Sequence, residues 1–161
     1  MKTVNSSHLP DFTTDFVSPK GKYAGHFTNL TIALGFNPHQ PDASPQAPFD
    51  VAIHRIPPGK ANFPFHSHSA QYEFYHITAG SGKLRHDDGE IEIKEGDAFM
   101  CEPGQAHQLI NDGETDLVYL IVADNPKGES CHYPDSQKWL VRSPQKQLIR
   151  SESIDYFDGE E

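Results

Sequence analysis

Four side chains in two short segments carry most of the chemistry this chain can offer. The first segment runs from Gly59 to Gly80 and holds His66, His68 and Glu73. In an extended chain, residues i and i+2 share a face, so His66 and His68 aim into one volume while Ser67 turns away. Glu73 follows a short polar turn and opens the next strand, where Glu73, Tyr75 and Ile77 again share a face. Two imidazoles and a carboxylate on adjacent strands suit a divalent ion, with bonds of about 2.0–2.2 Å. The second segment runs from Gly96 to Asn111. In it Pro103-Gly104 makes a turn and His107 opens the strand beyond. A closed barrel brings His107 opposite the first trio, giving three histidines and one glutamate.

These residues need strands to hold them, and the chain spells out several. Val51–Ile56 is a β-rich run closed by Pro57, Pro58 and Gly59. Glu73–Thr78 follows, then Lys83–His86 and Glu90–Lys94 flank Asp87-Asp88-Gly89, a strong hairpin signal. Ala98–Cys101 and Leu117–Val122 complete the set, and Phe27–Leu34 is expected as a first strand. Short strands at close, regular spacing with turn residues between them predict an all-β, antiparallel sandwich or barrel. Residues 1–26 are expected to form an arm with little regular structure, and the four prolines between Gly35 and Pro48 a loop that covers the mouth or merely spaces it. Beyond Asp124 the periodicity fades, with one edge strand expected at Trp139–Val141. The acidic stretch Ser151–Glu161 either docks on the barrel or is solvated. The expected division is 1–48 arm, first strand and loop, 49–125 barrel, and 126–161 extension, all in one structural domain.

Composition narrows the function classes. The 161 residues include 13 Lys plus Arg against 23 Asp plus Glu, a formal charge of −10. Such a chain repels phosphate backbones, so no nucleic-acid partner is expected. Hydrophobic residues are only 35%, but 10 Phe and 6 Tyr can build a core because each buries a large area. Two cysteines, Cys101 and Cys131, make no disulfide framework and fit a reducing, cytoplasmic setting. No apolar run has signal-peptide or membrane-span length, so no membrane partner is expected either.

The two segments resemble the paired signatures of the cupin superfamily. The first matches with His66, His68, Glu73 and Gly80, the second with Gly96, Pro103, His107 and Asn111; the glycine here follows the proline directly, at 104. The resemblance covers roughly residues 50–123. It implies a small antiparallel double-stranded β-helix (jelly-roll barrel) holding one divalent metal ion on His66, His68, Glu73 and His107. Fe or Mn is favoured, with Zn or Ni as alternatives. Tyr133-Pro134-Asp135 and the Asp155–Glu160 tail are also similar to a little-characterised group of single-domain cupins.

The remaining readings are expectations about use. Glu73, Tyr75 and Gln71 are the candidate catalytic groups, with Glu102 a further acid/base candidate. Arg55, Phe65 and Arg85 are the candidate substrate-binding groups, with Lys60 a further cation. Phe63 and Tyr72 flank the ligands and are candidate pocket walls, although such aromatics are more often core. Of the other histidines, His76 has the wrong parity for the site, and a structural role is expected for each. Both cysteines are expected to be buried, inert thiols. The expected ligand is a small molecule in the barrel. The expected activity is a metal-dependent isomerase or dioxygenase, with a ligand-binding or sensor barrel as the alternative and a structural or storage barrel last. A homodimer through sheet edges or the N-terminal arm is expected as well.

Overall fold

The computed structural model describes residues 1–36, 47–142, 145–150 and 152–160. Its strands in chain order are β1 (Thr13–Val17), β2 (Ala24–Asn29), β3 (Phe49–Ile56), β4 (Lys60–Ala61), β5 (Ser67–His68), β6 (Glu73–Ala79), β7 (Ser81–His86), β8 (Gly89–Lys94), β9 (Ala98–Cys101), β10 (His107–Asn111), β11 (Leu117–Asp124), β12 (Ser130–Tyr133), β13 (Lys138–Val141) and β14 (Gln147–Ile149). One turn of helix, α1 (Leu30–Ala33), separates β2 from β3. The strands form three antiparallel sheets, ordered β1-β2-β3-β11-β6-β9, β4-β10-β7-β8 and β14-β13-β12-β5.

The most apolar run becomes a central strand of the six-stranded sheet. β11 pairs with β3 from Leu117↔Ile56 to Asp124↔Phe49 and with β6 from Val118↔Ala79 to Ala123↔Glu73. Leu84, Ile93 and Leu109 of the second sheet pack against Ile56, Ile77, Leu117 and Tyr119 of the first in one buried cluster. Alternation then leaves the same face of β6 to present Glu73 and Tyr75 farther along the barrel axis.

Two positions in the paired segments have structural reasons. Gly80 adopts φ +79°, and a Cβ there would lie 2.3 Å from the Asp116 carbonyl oxygen. Only glycine fits that close approach where β6 turns into β7. Asn111 is fully buried, and its Nδ2 donates to the carbonyls of Ile56 (2.7 Å) and Thr115 (2.8 Å) while its Oδ1 accepts from the Gly113 amide (3.0 Å). It ties the end of β10 to the end of β3.

Several expectations are corrected. The first 26 residues are not an irregular arm, because β1 pairs with β2 from Thr13↔Thr28 to Val17↔Ala24, and β2 with β3. Phe16, Phe27 and Phe63 stack at centroid distances of 5.0–5.7 Å, so aromatic packing replaces the missing aliphatic alternation. The first strand does not run to Leu34. Asn29 accepts from the Ile32 amide (2.8 Å) and caps α1 instead. The stretch beyond Asp124 contains three strands, and β13 lies between β12 and β14 rather than at an edge. Trp139 stacks on His132 at 4.4 Å across β12 and β13. The acidic end is solvated, with Ile154, Tyr156 and Phe157 exposed by 66%, 88% and 57%. Most of the proline-rich loop, residues 37–46, lies outside the described residues. No described helix is long and apolar enough to cross a membrane.

Candidate metal centre

Backbone pairing joins the two segments at their histidines. The His66 amide donates to the His107 carbonyl (3.2 Å), and the His107 amide returns a bond to His66 (2.8 Å). The Gly104 amide, in the Pro-Gly turn, donates to the His68 carbonyl (2.8 Å). The rings of His66 and His107 therefore lie 4.7 Å apart, and those of His66 and His68 5.0 Å apart. Glu73 reaches in from the first sheet, its Oε2 2.8 Å from His107 Nε2 and 3.5 Å from His68 Nε2. One ligand atom from each of the four residues lies within 4.8 Å of all the others.

Three observations show that this set fits a divalent ion. His68 Nε2 is buried without a hydrogen-bond partner among the described residues, a cost that a metal bond would remove. Each imidazole also has its other nitrogen held by an acceptor: His66 Nδ1 by the Pro64 carbonyl (2.9 Å), His107 Nδ1 by the Gln105 carbonyl (3.1 Å), and His68 Nδ1 by Glu129 Oε1 (3.0 Å). Such bonds select the tautomer that leaves Nε2 free as a donor to metal. Third, three imidazoles and one carboxylate are a donor set suited to Fe²⁺, Mn²⁺, Zn²⁺ or Ni²⁺.

Glu129 is the centre's buried anchor, with a side chain only 1% exposed. Its carboxylate accepts from His68 and from the amides of Ser69 (3.2 Å), Ala70 (2.9 Å) and Gln71 (2.9 Å). Glu129, His68 and Cys131 also lie close enough together to resemble a ligand cluster. With its oxygens already engaged by these donors, Glu129 orients His68 instead of forming a second ion site.

The electrostatics of the metal-free cluster follow from burial and mutual contact. Burial takes His66 down to about 4, helped by the charge of His107. Burial acts upward on Glu73, but the hydrogen bond with His107 and the charges of the three imidazoles outweigh it and bring the carboxyl to about 2. Burial acts downward on His107, yet hydrogen bonding to Cys101 and Glu73 and the Glu73 charge raise it to about 10. Glu73 and His107 thus form a buried ion pair. Tyr75, raised by burial and by Glu73, keeps its proton and donates to Glu73 Oε2 (2.8 Å), with its oxygen 3.2 Å from His107 Nε2.

A cavity of about 440 Å³ opens on the cluster and is lined by His66, His68, Glu73 and Tyr75. Gln71 also lines it, but its Nε2 donates to the Asp124 carbonyl, which leaves its amide as a fixed wall group. Phe63 lines the cavity as well. The three expected substrate-binding residues are not among the lining residues. Arg55 is exposed and ion-paired with Asp116 (2.9 Å). Arg85 grips Asp135 with both terminal nitrogens (2.7 and 2.8 Å) and lies 3.9 Å over the ring of Phe65. Strand parity turns Arg55 and Arg85 away from this cavity, while Phe65 is buried beneath the Arg85 guanidinium. Lys60 donates to the Gly21 carbonyl (2.7 Å), and neither Glu102 nor Tyr72 lines the cavity. Both cysteines are free and buried, but neither is remote from the centre: Cys131 Sγ is 3.5 Å from His68 Nδ1.

Other cavity residues escaped the sequence reading. His54 lines the wall, where burial takes it down to about 3 despite the Glu73 charge, and its Nδ1 is 3.1 Å from the Tyr119 hydroxyl. Parity with Ala52 and Ile56 was a signal for its inward direction. Cys131, Tyr133 and Arg142 also line the cavity, and Glu129 stands behind His68, all from a stretch whose residue pattern carried no such signal.

Comparisons with known proteins agree with this architecture. A family model described as the cupin domain matches residues 52–123. An oxalate-binding protein of Thermotoga maritima is 38% identical over 69 residues, which are 42% of this chain and 55% of that protein, so the match spans about half the relative's length. A structure from Acidithiobacillus ferrooxidans, whose own name assigns it provisionally to the sugar phosphate isomerases, superposes with a TM-score of 0.73 at 21% identity and 88% coverage of both chains. A sugar phosphate isomerase of the cupin superfamily from Silicibacter pomeroyi gives a TM-score of 0.69 at 23% identity, covering 82% of this chain and 81% of its own. With its two signature segments folded into one antiparallel barrel around three histidines and a glutamate, residues 52–123 of the chain form a cupin domain.

Proposed function

We propose that the chain is a metal-dependent enzyme acting on a small polar molecule in the barrel, either isomerising a sugar or sugar phosphate or oxygenating a small acid or enol. The observation that carries this reading is the Tyr75 hydroxyl, buried and protonated, 2.8 Å from Glu73 at the floor of the cavity. A barrel that only stored metal would not need a proton donor in that place. His66, His68, Glu73 and His107 would hold one divalent ion, Fe²⁺ or Mn²⁺ by preference and Zn²⁺ or Ni²⁺ otherwise. When bound, such an ion supplies Lewis acidity to a substrate oxygen. Tyr75 holds a proton beside that oxygen, and Phe63 and His54 line the same cavity. The names of the structural relatives from Acidithiobacillus and Silicibacter favour the isomerase branch.

A non-catalytic binding barrel is the second reading, favoured by the oxalate-binding relative. The discriminating experiment loads the chain with each metal, Fe²⁺ anaerobically, and screens sugars and sugar phosphates by NMR and small acids by oxygen uptake. Turnover that falls about 100-fold or more in Tyr75→Phe, at unchanged metal content, is the expected result. Oxalate binding without turnover under every metal would establish the binding reading instead.

A further inference from the structure

The walls of the metal cavity differ in charge. From the six-stranded sheet come Asn29, Asp50 and Asn125, with Asp50 accepting from Asn29 Nδ2 at 3.2 and 3.3 Å. From the β13–β14 hairpin come Arg142 and Lys146, which stand at the two ends of its turn. Three cations on barrel strands already have carboxylate partners: Arg55 has Asp116, Lys83 has Glu90 and Asp112, and Arg85 has Asp135. Arg142 and Lys146 have no carboxylate at ion-pair distance among the described residues. Acidic residues outnumber basic ones by ten in this chain, so carboxylates are not in short supply. Two cations left unpaired on one cavity wall offer a fork and a point charge to an oxyanion. The wall is also close to the metal cluster, since Arg142 meets the Cys131 thiol and Cys131 Sγ is 3.5 Å from His68 Nδ1.

We propose that Arg142 and Lys146 form an anion subsite beside the metal cluster, which takes the carboxylate or phosphate group of a small substrate. The uncharged, oxygen-bearing end of that molecule then lies toward His66, His68, Glu73 and His107, and any hydroxyl groups lie toward Asn29, Asp50 and Asn125. This orientation rests on the metal-dependent reading above, whereas the subsite itself does not. It also moves the anion-binding role from Arg55 and Arg85, which carboxylates already occupy, to the hairpin.

The test titrates inorganic phosphate and malonate, separately, into metal-free and Mn²⁺-loaded protein by calorimetry at fixed low ionic strength. The Arg142→Gln/Lys146→Gln double variant, and Arg142→Lys/Lys146→Arg as a charge-conserving control, are run alongside with circular dichroism as the folding check. At least one anion should bind the metal-free chain, tenfold or more weakly in the double variant and nearly unchanged in the control. The tighter anion then names the group recognised. Equal affinity in the wild type and the double variant, or no binding of either anion, overturns the subsite. Loss of anion binding in the double variant of a chain that takes up no Mn²⁺ upholds the subsite and removes the metal reading. Normal Mn²⁺ uptake with unchanged anion affinity does the reverse.

Discussion

Between Phe49 and Asp124 the chain presents its four metal-facing side chains from strands and turns with plain alternation. Beyond Asp124 it brings Cys131 and Tyr133 to the cavity, and Glu129 behind His68, with almost none. The first group is placed by pleat parity, a local property. The second is placed by pairing of β12 with β5, Cys131↔His68 and His132↔Ser67, across some sixty residues of chain. The difference separates two tasks. The barrel supplies the ligand atoms, and the extension fixes how one of them is held and which charges surround the opening.

The largest effect expected from breaking this division is at Glu129. Glu129→Ala leaves His68 Nδ1 and three backbone amides without their acceptor. Two of these donors, His68 Nδ1 and the Gln71 amide, are buried, so at about 1–3 kcal/mol each the loss should reach at least about 2 kcal/mol by denaturant unfolding. Metal affinity should fall about 10–100-fold although no ligand is changed. Glu129→Gln, which keeps one acceptor oxygen, should cost less on both counts. Unchanged affinity in both variants would mean that the barrel orients His68 alone.

A second, smaller effect belongs to the barrel and is read by pH. In the metal-free chain, folded His54 and His66 stay neutral down to about 3 and 4, while unfolded histidines take up protons near 6.5. The unfolded state therefore binds more protons in that window, so stability falls as pH drops below about 6.5. Each histidine contributes up to about 1.4 kcal/mol per pH unit. Glu73 adds a further loss as pH falls from 4.5 through about 2. His107, raised to about 10, works in the other direction, its contribution being present below 6.5 and lost as pH rises toward 10. Metal-free stability should thus peak near pH 6.5, and His54→Phe should roughly halve the slope between pH 4.5 and 6. A flat profile in that range would contradict the buried, neutral assignment.

The smallest effect is expected where the two regions touch at the surface. Arg85 on β7 holds Asp135 of the extension by a two-pronged bridge, yet the two side chains are 32% and 46% exposed. Arg85→Ala should change stability by no more than about 1 kcal/mol and leave small-molecule binding unaltered. A larger loss of binding would return Arg85 to the substrate-binding role expected from the sequence.

The same contrast explains what was legible beforehand. Strands β3, β6, β7, β8, β9 and β11 sit close to where alternation and Gly or Pro breaks placed them, and the histidine pair, Glu73 and His107 were found by parity and spacing. β1 was missed, and β2 begins three residues earlier than expected, because their pairing depends on Phe16, Phe27 and Phe63 meeting in space. β12 and β14 were missed because their residues are mixed or exposed on both faces. Glu129 looked like one of many surface carboxylates, since nothing local distinguishes an acid that accepts five bonds from one that accepts none. Arg55 and Arg85 show a related limit: a cation's sequence position does not show whether a carboxylate already holds it.

Metal content tests the central claim most directly, namely that three histidines and one glutamate on barrel strands hold one divalent ion. Tag-free protein, reconstituted with Fe²⁺ or Mn²⁺ under anaerobic conditions and freed of excess ion, would be measured by elemental mass spectrometry beside His107→Ala and Glu73→Gln. The account predicts about one ion per chain in the wild type and near-background content in His107→Ala, with both variants folded by circular dichroism. A wild type that takes up no ion, or a His107→Ala protein that keeps a full one, would contradict it.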